Sequence, residues 1–468
     1  MKYISTRNNS EYFNYNDVLI QGLSSEGGLF VPKTFPKFSN LELNKLSKLS
    51  YSELAAEIIF KFTGDEIEFD ELLKNTEKVY SNFTNDEVAP LRDIGNNNFL
   101  LELFYGPTLA FKDYAMQFLA ADFERVMKLK NENILILGAT SGDTGSAALH
   151  AFSNLKLIDI FILYPNGMVS EIQEAQMTTI SSDGAFPIKI NGNFDDCQNI
   201  VKTIFENLDF KKRLKLTAVN SINWARLVPQ IVYYFYSALK VTKPGNKVSF
   251  SVPTGNFGNI YAGWCAKKMG LPIEKLICAS NKNNILTRFF NSGKMETKPV
   301  QKSYSPSMDI QISSNFERLL FEMYNMDSEI VKLKMAEFKM NNSFQVEENL
   351  LKDITNSFFA VDVNDDQILK TIKDVFKSNN IIVDPHTACG IYSQKIVRKK
   401  NEISSSTPII NLACAHPSKF PDTVYKSINV NPELPFVLEG ILEKQKKFLH
   451  GPNDHKTIMS LIEGNRRN

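Results

Sequence analysis

Short aliphatic runs alternate with stretches of helical periodicity through the middle of the chain. The runs occupy residues 133–137, 159–163, 186–190, 216–219, 247–252 and 275–279. Most of them are followed by a segment in which apolar residues recur every three or four positions, as on one face of a helix. A wholly apolar strand followed by a helix is typical of a parallel sheet with helices on both faces. The pattern therefore predicts an α/β fold with parallel-rich sheets flanked by helices.

The same periodicity gives the helices and the remaining strands. Helices are predicted over residues 114–123, 147–152, 170–180, 195–208, 224–239, 259–269, 329–340, 365–377 and 388–398. Two further strands are predicted at 381–383 and 408–412, whereas the polar, proline-containing segment 281–316 interrupts the alternation. Open α/β sheets bind ligands beyond the carboxyl ends of their strands, so chemistry is expected in the loops that follow the strands.

Residues 1–85 have a different character and are predicted to form a separate N-terminal unit. A turn-rich opening at 24–28 precedes amphipathic helical stretches between residues 41 and 78. The polar segment 82–98, which contains Pro90 and three successive Asn residues, is interpreted as a linker. The sequence therefore predicts a small N-terminal helical domain ahead of the sheets.

Length and charge narrow the class of protein. At 468 residues the chain is long enough for two or three domains, and its 43% hydrophobic and 22% charged residues are ordinary for a globular protein. The 53 basic and 52 acidic side chains leave a net charge of only +1. This balance gives no electrostatic footprint for nucleic acid or for an anionic membrane, so neither is expected as a partner.

The chain shows no sign of export or of membrane insertion. Its first twenty residues lack the apolar core of a signal peptide, and no uncharged apolar run approaches the ~20 residues that span a bilayer. The five cysteines, an odd number without CxxC spacing, argue against disulfides and against a structural zinc site. A cytoplasmic location is therefore expected.

Two glycine-rich loops follow predicted strands and precede predicted helices. They are Thr254-Gly255-Asn256-Phe257-Gly258-Asn259 and Thr140-Ser141-Gly142-Asp143-Thr144-Gly145. Glycines let the backbone approach an anion, and a helix N-terminus offers free N–H groups and the positive end of its dipole. Glycine turns without a ligand are also common in such folds, and Asp143 could simply cap its helix. If both loops bind anions, an amino acid together with a phosphorylated cofactor would fit them.

A third feature is Lys112, which lies in the sequence GPTLAFKD at residues 106–113, just ahead of a predicted helix. A lysine amine placed against apolar surface has a lowered pKa and becomes a usable nucleophile or base. A lysine considered alone is more often a solvated surface residue, so this position by itself leaves both interpretations open.

Taken in order, GPTLAFKD, TSGDTG and TGNFGN resemble stretches of the fold-type-II pyridoxal-phosphate enzymes, whose fold is like that of the tryptophan synthase β chain. Further stretches narrow the resemblance to the threonine synthase family of the bacterial and fungal type. They are EGGL at 26–29, GNFDDC at 192–197, NSINWAR at 220–226, SMDI at 307–310, DPHTA at 384–388 and AHPSKF at 415–420. None of these is specific alone, but their shared order covers nearly the whole chain.

The resemblance implies the cofactor pyridoxal 5′-phosphate and the conversion of O-phospho-L-homoserine and water to L-threonine and phosphate. Lys112 would hold the cofactor covalently and serve as the catalytic proton carrier. The cofactor would also be bound by Thr254, Gly255, Asn256, Phe257, Gly258, Asn259 and Cys414. The substrate would be bound by Thr140, Ser141, Gly142, Asp143, Thr144 and Arg226. Assembly as a monomer or a homodimer is expected.

In this fold type a large cofactor-binding domain and a smaller mobile domain enclose the substrate. The resemblance implies that residues 86–120 and 236–468 form the large domain here. Residues 121–235 would form the smaller domain, which closes over the substrate.

Individual positions in the family-like motifs allow more than one role. The family has a threonine before Ala-His-Pro, whose hydroxyl contacts the pyridine nitrogen; Cys414 either takes that place with a weak S–H partner or is a small buried residue. Arg226 and Lys419 are candidates for contacting the substrate phosphate, although both could equally form structural ion pairs. His386 and His416 are expected to be buried, hydrogen-bonded residues and not catalytic ones.

Two alternatives to a synthase remain on the sequence alone. An O-phosphohomoserine phospho-lyase of the same fold would release phosphate and 2-oxobutyrate, since it differs only in how water and protons are handled after phosphate leaves. A non-catalytic binding protein could keep the fold, but it would have no physical need for Lys112 and both anion-binding loops. The near-complete set of motifs favours the synthase.

Overall fold

The computed structural model describes residues 1–467, in which aliphatic runs form strands and amphipathic segments form helices around them. The strands are β1 (Tyr3–Ser5), β2 (Asn8–Phe13), β3 (Phe30–Pro32), β4 (Leu91–Asp93), β5 (Asn98–Glu102), β6 (Ile134–Ala139), β7 (Ile158–Pro165), β8 (Ala185–Ile190), β9 (Leu216–Thr217), β10 (Val248–Pro253), β11 (Ile273–Ser280), β12 (Lys294–Glu296), β13 (Ser343–Gln345), β14 (Phe358–Asp362), β15 (Ile409–Ala413) and β16 (Leu449–Gly451).

The helices surround these strands along the whole chain. They are α1 (Tyr15–Gln21), α2 (Asn40–Leu46), α3 (Tyr51–Thr63), α4 (Phe69–Tyr80), α5 (Lys112–Lys130), α6 (Asp143–Phe152), α7 (Glu171–Thr178), α8 (Phe194–Glu206), α9 (Leu208–Arg213), α10 (Trp224–Val241), α11 (Gly258–Lys268), α12 (Ile285–Ser292), α13 (Phe316–Met323), α14 (Ser328–Asn341), α15 (Glu348–Thr355), α16 (Asp365–Asn379), α17 (Pro385–Lys399), α18 (Pro421–Ile428) and α19 (His455–Asn465). Single 3₁₀ turns lie at Gly64–Glu66, Pro306–Met308, Pro417–Lys419, Phe436–Leu438 and Ile441–Glu443.

The larger sheet has six strands in the order β14-β11-β10-β15-β5-β4. Its neighbouring strands are parallel except for β4, which runs antiparallel to β5 at one edge. β10 is buried along its whole length, as expected for a central strand covered by helices on both faces. The predicted α/β fold with parallel-rich sheets is confirmed.

A second sheet has five strands, all parallel, in the order β16-β8-β7-β6-β9. Its central strand β7 has the sequence IDIFILYP and is buried throughout. The predicted large domain includes residues 236–468, and the pairing of β16 near its end bears on that prediction. Because β16 pairs with β8, the C-terminal segment belongs to the five-stranded sheet.

Most predicted strands are present, and the errors have local causes. The six aliphatic runs between 133 and 279 form β6 to β11, and the run at 408–412 forms β15. The strand predicted at 381–383 is absent, because this short segment only connects α16 to α17, whose N-cap is Asp384. The predicted linker 82–98 contains β4 and the first residue of β5, so it is part of the larger sheet.

The N-terminal unit was predicted to be helical, but it also contains strands. Besides α1 to α4 it has a small antiparallel sheet in the order β2-β1-β3. Its apolar side chains join the main hydrophobic core: Tyr3 lies 6.1 Å from the Trp224 ring of α10 and donates its hydroxyl to the Phe62 carbonyl at 2.6 Å. The unit is therefore anchored to the region that follows it.

The predicted domain boundaries at residues 120 and 235 fall inside the continuous helices α5 and α10. Boundaries usually lie in exposed linkers, so these two positions cannot be hinges of the usual kind. The division into a large and a smaller mobile domain stays a prediction, with the two sheets as its physical basis.

A search of residues 1–467 for a helix both long and apolar enough to cross a membrane finds none.

Candidate active site

Four segments that carry predicted site residues follow the carboxyl ends of parallel strands. Residues 103–111 follow β5, and residues 140–142 follow β6. The loop 254–257 follows β10, and Cys414 follows β15. This is the edge at which open α/β sheets bind ligands. The three segments of the larger sheet therefore face a common region, and the contact between Asp143 and Lys112 brings the segment after β6 of the second sheet to it.

Lys112 is the first residue of α5, and the loop before it is fixed to the segment after β15. The Phe111 N–H donates to the Cys414 carbonyl at 2.8 Å, and the His416 N–H donates to the Leu109 carbonyl at 3.0 Å. Leu109 has a left-handed backbone with a φ of 60°, which is uncommon for a residue other than glycine. These contacts hold the lysine at the carboxyl end of the larger sheet.

Asp113 folds back onto the same loop. Thr108 donates to its carboxylate through its N–H at 2.9 Å and through its hydroxyl at 2.7 Å. Gly106 makes this closure possible, since a Cβ at that position would lie 2.4 Å from the Asp113 Cβ. The spacing of residues in GPTLAFKD is thus explained by a loop that closes around its own lysine.

Lys112 faces a buried carboxylate that has a second lysine as partner. Its Nζ lies 3.4 Å from Oδ2 of Asp143, while Nζ of Lys419 lies 2.9 Å from Oδ1. Lys419 also donates to the Thr108 carbonyl at 2.7 Å, and Gln173 donates to Oδ1 of Asp143 at 2.8 Å. One carboxylate therefore connects the lysine loop, the TSGDTG loop and the segment after β15.

Burial lowers the pKa of the Lys112 amine; Asp143 opposes this effect, and the charges of Lys419 and Arg226 reinforce it. Burial alone would raise the pKa of Asp143, but Lys419, Lys112 and the hydrogen bond from Gln173 hold it well below its usual range. The site therefore contains a carboxylate that stays charged and an amine that gives up its proton more readily than an ordinary lysine.

The TSGDTG loop is closed by Thr140. Its hydroxyl oxygen accepts from the N–H of Gly142 at 3.0 Å and of Gly145 at 2.8 Å. No side chain fits at Gly145, where a Cβ would lie 2.4 Å from Thr140 Cγ2. In the described part of the chain the hydroxyls of Ser141 and Thr144 have no hydrogen-bond partner. The loop leaves these hydroxyls available to a ligand, whereas that of Thr140 is used within the loop.

Asp143 differs from the role expected of it in two ways. It is the first residue of α6, and Gly142 occupies the N-cap position, so the alternative that Asp143 caps the helix is wrong. Its charged carboxylate would also repel the carboxylate of an amino acid, and it is already paired with Lys112 and Lys419. Its side chain therefore pairs with the lysines, and the hydroxyls of Ser141 and Thr144 are the side-chain groups of this loop that stay open to an anion.

The TGNFGN loop at the end of β10 is held through its carbonyl groups. Ser313 donates to the Gly255 carbonyl at 2.7 Å, and Asn315 donates to the Asn256 carbonyl through its N–H at 3.1 Å and its side chain at 3.0 Å. Phe257 has a left-handed φ of 64° and caps α11. Within the described residues no group accepts a hydrogen bond from the N–H of Gly255, Asn256 or Phe257. Free N–H groups ahead of a helix form an anion-binding cradle.

Asn259 connects this loop to Cys414. Its Oδ1 accepts from the hydroxyls of Tyr233 at 2.7 Å and Tyr234 at 2.9 Å, and its Nδ2 lies 4.0 Å from the Cys414 sulfur. The Cys414 thiol faces the Leu412 carbonyl at 3.6 Å, and burial raises its pKa, so it is a neutral thiol. Cys414 is therefore a small buried residue, as one sequence interpretation holds. It also borders the site, as its alternative role beside a cofactor requires.

Arg226 lies buried on α10, and among the described residues no carboxylate pairs with it. Its Nη1 donates to the Val219 carbonyl at 3.0 Å. Burial lowers its pKa to about 10, which still leaves the guanidinium charged at neutral pH. A buried cation without a counter-ion fits an anionic ligand. Lys419, by contrast, forms the structural ion pair that had been the alternative to a phosphate contact.

Two residues of the site were not predicted. Gln173 lies on α7, and Ser307 lies in a 3₁₀ turn within the segment interpreted as irregular. The Ser307 hydroxyl lies 3.5 Å from Asp143 Oδ2, its N–H donates to His386 Nε2 at 3.1 Å, and its carbonyl oxygen is 3.2 Å from where a Cβ of Gly255 would be. Ser307 therefore joins the two glycine-rich loops. The position of Ser307 in the family-like motif SMDI could have indicated a role in the site, whereas Gln173 lies in none of the motifs.

The two histidines of the motifs are hydrogen-bonded, as predicted. His386 is buried, with Nδ1 2.8 Å from Asp384 Oδ1. His416 has Nδ1 2.8 Å from the Ser418 hydroxyl, but it is only partly buried.

Comparison with known families gives matches along the chain. A model described as the N terminus of threonine synthase matches residues 2–80, and one described as a pyridoxal-phosphate-dependent enzyme matches residues 87–414. A model of the C-terminal part of threonine synthase matches residues 387–462. Together these matches include every segment of the candidate site.

Individual proteins are similar over the full length. The threonine synthase of Pseudomonas aeruginosa is 43% identical, covering 100% of this chain and 99% of the relative; that of Schizosaccharomyces pombe is 40% identical, covering 99% and 97%. Among solved structures, the chain is similar to pyridoxal-phosphate-bound threonine synthase from Brucella melitensis, with 44% identity, a TM-score of 0.96 and 100% of both chains covered. Threonine synthase from yeast gives 39% identity and a TM-score of 0.94, covering 99% and 98%.

Proposed function

The chain belongs to the threonine synthase family of pyridoxal-phosphate-dependent enzymes, and we propose that Lys112 is its catalytic residue and covalent anchor for the cofactor. The observation that carries this proposal is the position of Lys112: a buried amine of lowered pKa, 3.4 Å from Asp143, at the carboxyl end of a parallel sheet. An amine must be uncharged to attack an aldehyde, and burial favours that form.

The residues around Lys112 fit pyridoxal phosphate. The free N–H groups of Gly255, Asn256 and Phe257 suit the cofactor phosphate, with Thr254, Gly258 and Asn259 completing the loop. The neutral Cys414 thiol would suit an uncharged pyridine nitrogen. When bound, the cofactor supplies the electron sink for bond breaking near the substrate amine.

We propose O-phospho-L-homoserine as the substrate, with two anionic groups that match two parts of the site. Ser141, Thr144 and the N–H groups around Gly142 would bind the carboxylate. Arg226, a buried guanidinium without a carboxylate partner, would contact the phosphate. Thr140 and Asp143 would act indirectly, by shaping the loop and pairing with the lysines.

In the proposed reaction the bond between Cγ and the phosphate oxygen breaks, and water adds at Cβ to give L-threonine and phosphate. Lys112 would carry protons at Cα, Cβ and Cγ of the substrate. Its Nζ lies 3.4 Å from the carboxylate of Asp143, which would help to orient it. Loops closed by Thr108 and Thr140 would fix the positions of these groups.

We also propose a cytoplasmic location and a monomer or homodimer. Five buried cysteines, all free, support a reducing compartment.

The test is a product assay on the purified protein with added cofactor and O-phospho-L-homoserine, in which threonine, 2-oxobutyrate and phosphate are all measured. We expect one threonine per phosphate. Phosphate accompanied by 2-oxobutyrate would instead identify the phospho-lyase. Phosphate retained on the substrate would contradict the proposed substrate.

Variants at the two ends of α5 separate the anchor from a general loss of charge. Lys112→Ala is expected to lose threonine formation by roughly 10³-fold or more, whereas Lys130→Ala, at the exposed end of the helix, is expected to retain it. Borohydride reduction and peptide mapping should place the cofactor on Lys112. An adduct on another lysine would overturn the assignment.

A further inference from the structure

Lys419 is a fully buried cation to which the proposed chemistry gives no role. Its side chain has 0% exposure, and its Nζ contacts only Asp143, at 2.9 Å, and the Thr108 carbonyl, at 2.7 Å, within the described residues. Burying a lysine costs free energy unless it is paired, so a position that keeps one has a reason beyond packing.

We propose that Lys419 is a positioning residue that keeps Asp143 paired and so leaves Lys112 free to act as an uncharged amine. This inference rests on the proposed role of Lys112. Among the described residues Lys419 contacts Asp143 and the Thr108 carbonyl but not Lys112, so Asp143 is the group that the two lysines share.

The geometry divides one carboxylate unequally between two lysines. Oδ1 of Asp143 has Lys419 at 2.9 Å and Gln173 at 2.8 Å, whereas Oδ2 has Lys112 and the Ser307 hydroxyl at the longer distances of 3.4 and 3.5 Å. Coulomb attraction falls with distance, and two ammonium groups on one carboxylate repel each other. The contact of Asp143 with Lys419 is therefore the stronger of its two ion pairs, and Lys112 is the amine that Asp143 holds less tightly.

The other charged and titratable groups near Lys112 point the same way. Arg226 on α10 disfavours a charge on Lys112, and the Cys414 thiol after β15 is neutral at ordinary pH. Asp143 at the start of α6 is then the one carboxylate that acts to keep Lys112 protonated. Without Lys419, the full charge of Asp143 would act on Lys112 alone.

Lys419 also keeps the site balanced when Lys112 changes state. When Lys112 is uncharged, Asp143 still has a cation at 2.9 Å and is not left as an unpaired buried anion. The Lys419 side chain also donates to the Thr108 carbonyl. The hydroxyl of Thr108 in turn donates to Asp113 and closes the loop before Lys112. Lys419 therefore links the charge of the site to the position of the lysine loop.

The test measures the protonation of Lys112 directly in the cofactor-free full-length protein. Acetic anhydride labels uncharged amines, and mass spectrometry of the Lys112 peptide over a pH series reports when that amine loses its proton. In Lys419→Met we expect Lys112 to remain protonated to higher pH. At a fixed pH below the midpoint its labelling should fall on the order of tenfold, equivalent to about one pKa unit.

Two further variants distinguish charge from structure. Asp143→Asn in the Lys419→Met background should reverse the rise in the Lys112 labelling midpoint, because the carboxylate that favours the charged amine is then absent. Gln173→Leu removes a neutral donor from the same oxygen and should leave the labelling midpoint nearly unchanged. If Lys419→Met does not fold, Lys419→Gln carries the same expectation. Unchanged labelling of Lys112 in a folded Lys419 variant overturns the inference.

Because the labelling needs neither cofactor nor substrate, it fails independently of the proposed function. A chain that makes threonine but shows no change in Lys112 labelling contradicts the role of Lys419 alone. A chain that shows the change but makes no threonine contradicts the proposed function alone.

Discussion

The two glycine-rich loops, TSGDTG at 140–145 and TGNFGN at 254–259, look alike in sequence but differ in charge. The first contains a buried carboxylate with two lysine partners, Lys112 and Lys419. The second has no charged side chain; its carbonyls are held by Ser313 and Asn315, and its N–H groups remain free. One loop therefore carries a charge that acts on the Lys112 amine, and the other offers neutral backbone donors.

This difference shows that a loop predicted to bind anions can carry an anion of its own. A helix N-terminus stabilises a carboxylate whether it belongs to a ligand or to the chain. Asp143 occupies the first turn of α6 in this way. At TGNFGN the corresponding positions of α11 have only Gly258 and Asn259, which leave that helix end to a ligand.

Removal of the Asp143 charge is expected to have the largest effect on stability. Asp143→Asn leaves the buried ammonium of Lys419 without a counter-ion, which should cost about 3–5 kcal/mol. Urea unfolding at neutral pH would measure this loss. Gln173→Leu, which removes a neutral donor to the same carboxylate, should cost only about 1 kcal/mol. Equal losses in the two variants would contradict the distinction between charge and hydrogen bonding.

Acid is expected to cause the next largest loss of stability, through His416 in the segment after β15. Burial lowers the pKa of His416 from 6.5 to about 4, so an unfolded chain binds a proton there at a pH where the folded chain does not. The contribution of His416 to the free energy of unfolding is complete above about pH 6.5 and is lost as the pH falls through about 4. At about 1.36 kcal/mol per pKa unit, the total loss is roughly 3 kcal/mol.

His416→Asn provides the control for this acid effect, since Asn can still accept the hydrogen bond from the Ser418 N–H. Unfolding midpoints measured between pH 7 and pH 4 should fall more steeply for the unmodified protein than for the variant. Parallel pH profiles would show that His416 does not contribute.

Alanine substitutions at one glycine of each loop should sharpen the comparison. Gly145→Ala places a Cβ 2.4 Å from Thr140 Cγ2 and should cost about 1–3 kcal/mol by overpacking. Gly255→Ala meets its nearest atom, the Ser307 carbonyl oxygen, at 3.2 Å and should cost about 0.5 kcal/mol, while weakening cofactor binding because the backbone can no longer approach the phosphate as closely. Thermal unfolding and cofactor titration measure the two effects, and a reversed order would contradict the geometry.

The smallest effect is expected for Tyr234→Phe, next to the TGNFGN loop. The Tyr234 hydroxyl lies 2.8 Å from the Asn259 carbonyl and 2.9 Å from its Oδ1, so its loss should cost about 1 kcal/mol in urea unfolding. The visible absorbance of bound cofactor should shift as well, because Asn259 also faces Cys414. Tyr236→Phe, whose hydroxyl contacts Glu87 elsewhere, should leave that absorbance unchanged.

Local pattern predicted the fold where strands are wholly apolar. β6 to β11 and β15 were predicted because each is a buried strand of a parallel sheet, and such strands have continuous aliphatic sequences. β4 and β16 were missed because they are three-residue edge strands, and the strand predicted at 381–383 failed because three apolar residues also fit a buried connection. Short segments carry too little periodicity to distinguish these cases.

Local sequence was enough to predict the class of fold, the family and the loops that surround Lys112, since glycines, a lysine and apolar runs are encoded locally and in order. The pairing of Asp143 with Lys112 and Lys419, the position of Ser307 between the two loops and the full burial of Lys419 are seen only in the folded chain. These contacts join residues more than thirty positions apart, and electrostatic interactions depend on distance and burial in space. The charge of a site is therefore fixed only when the chain is folded.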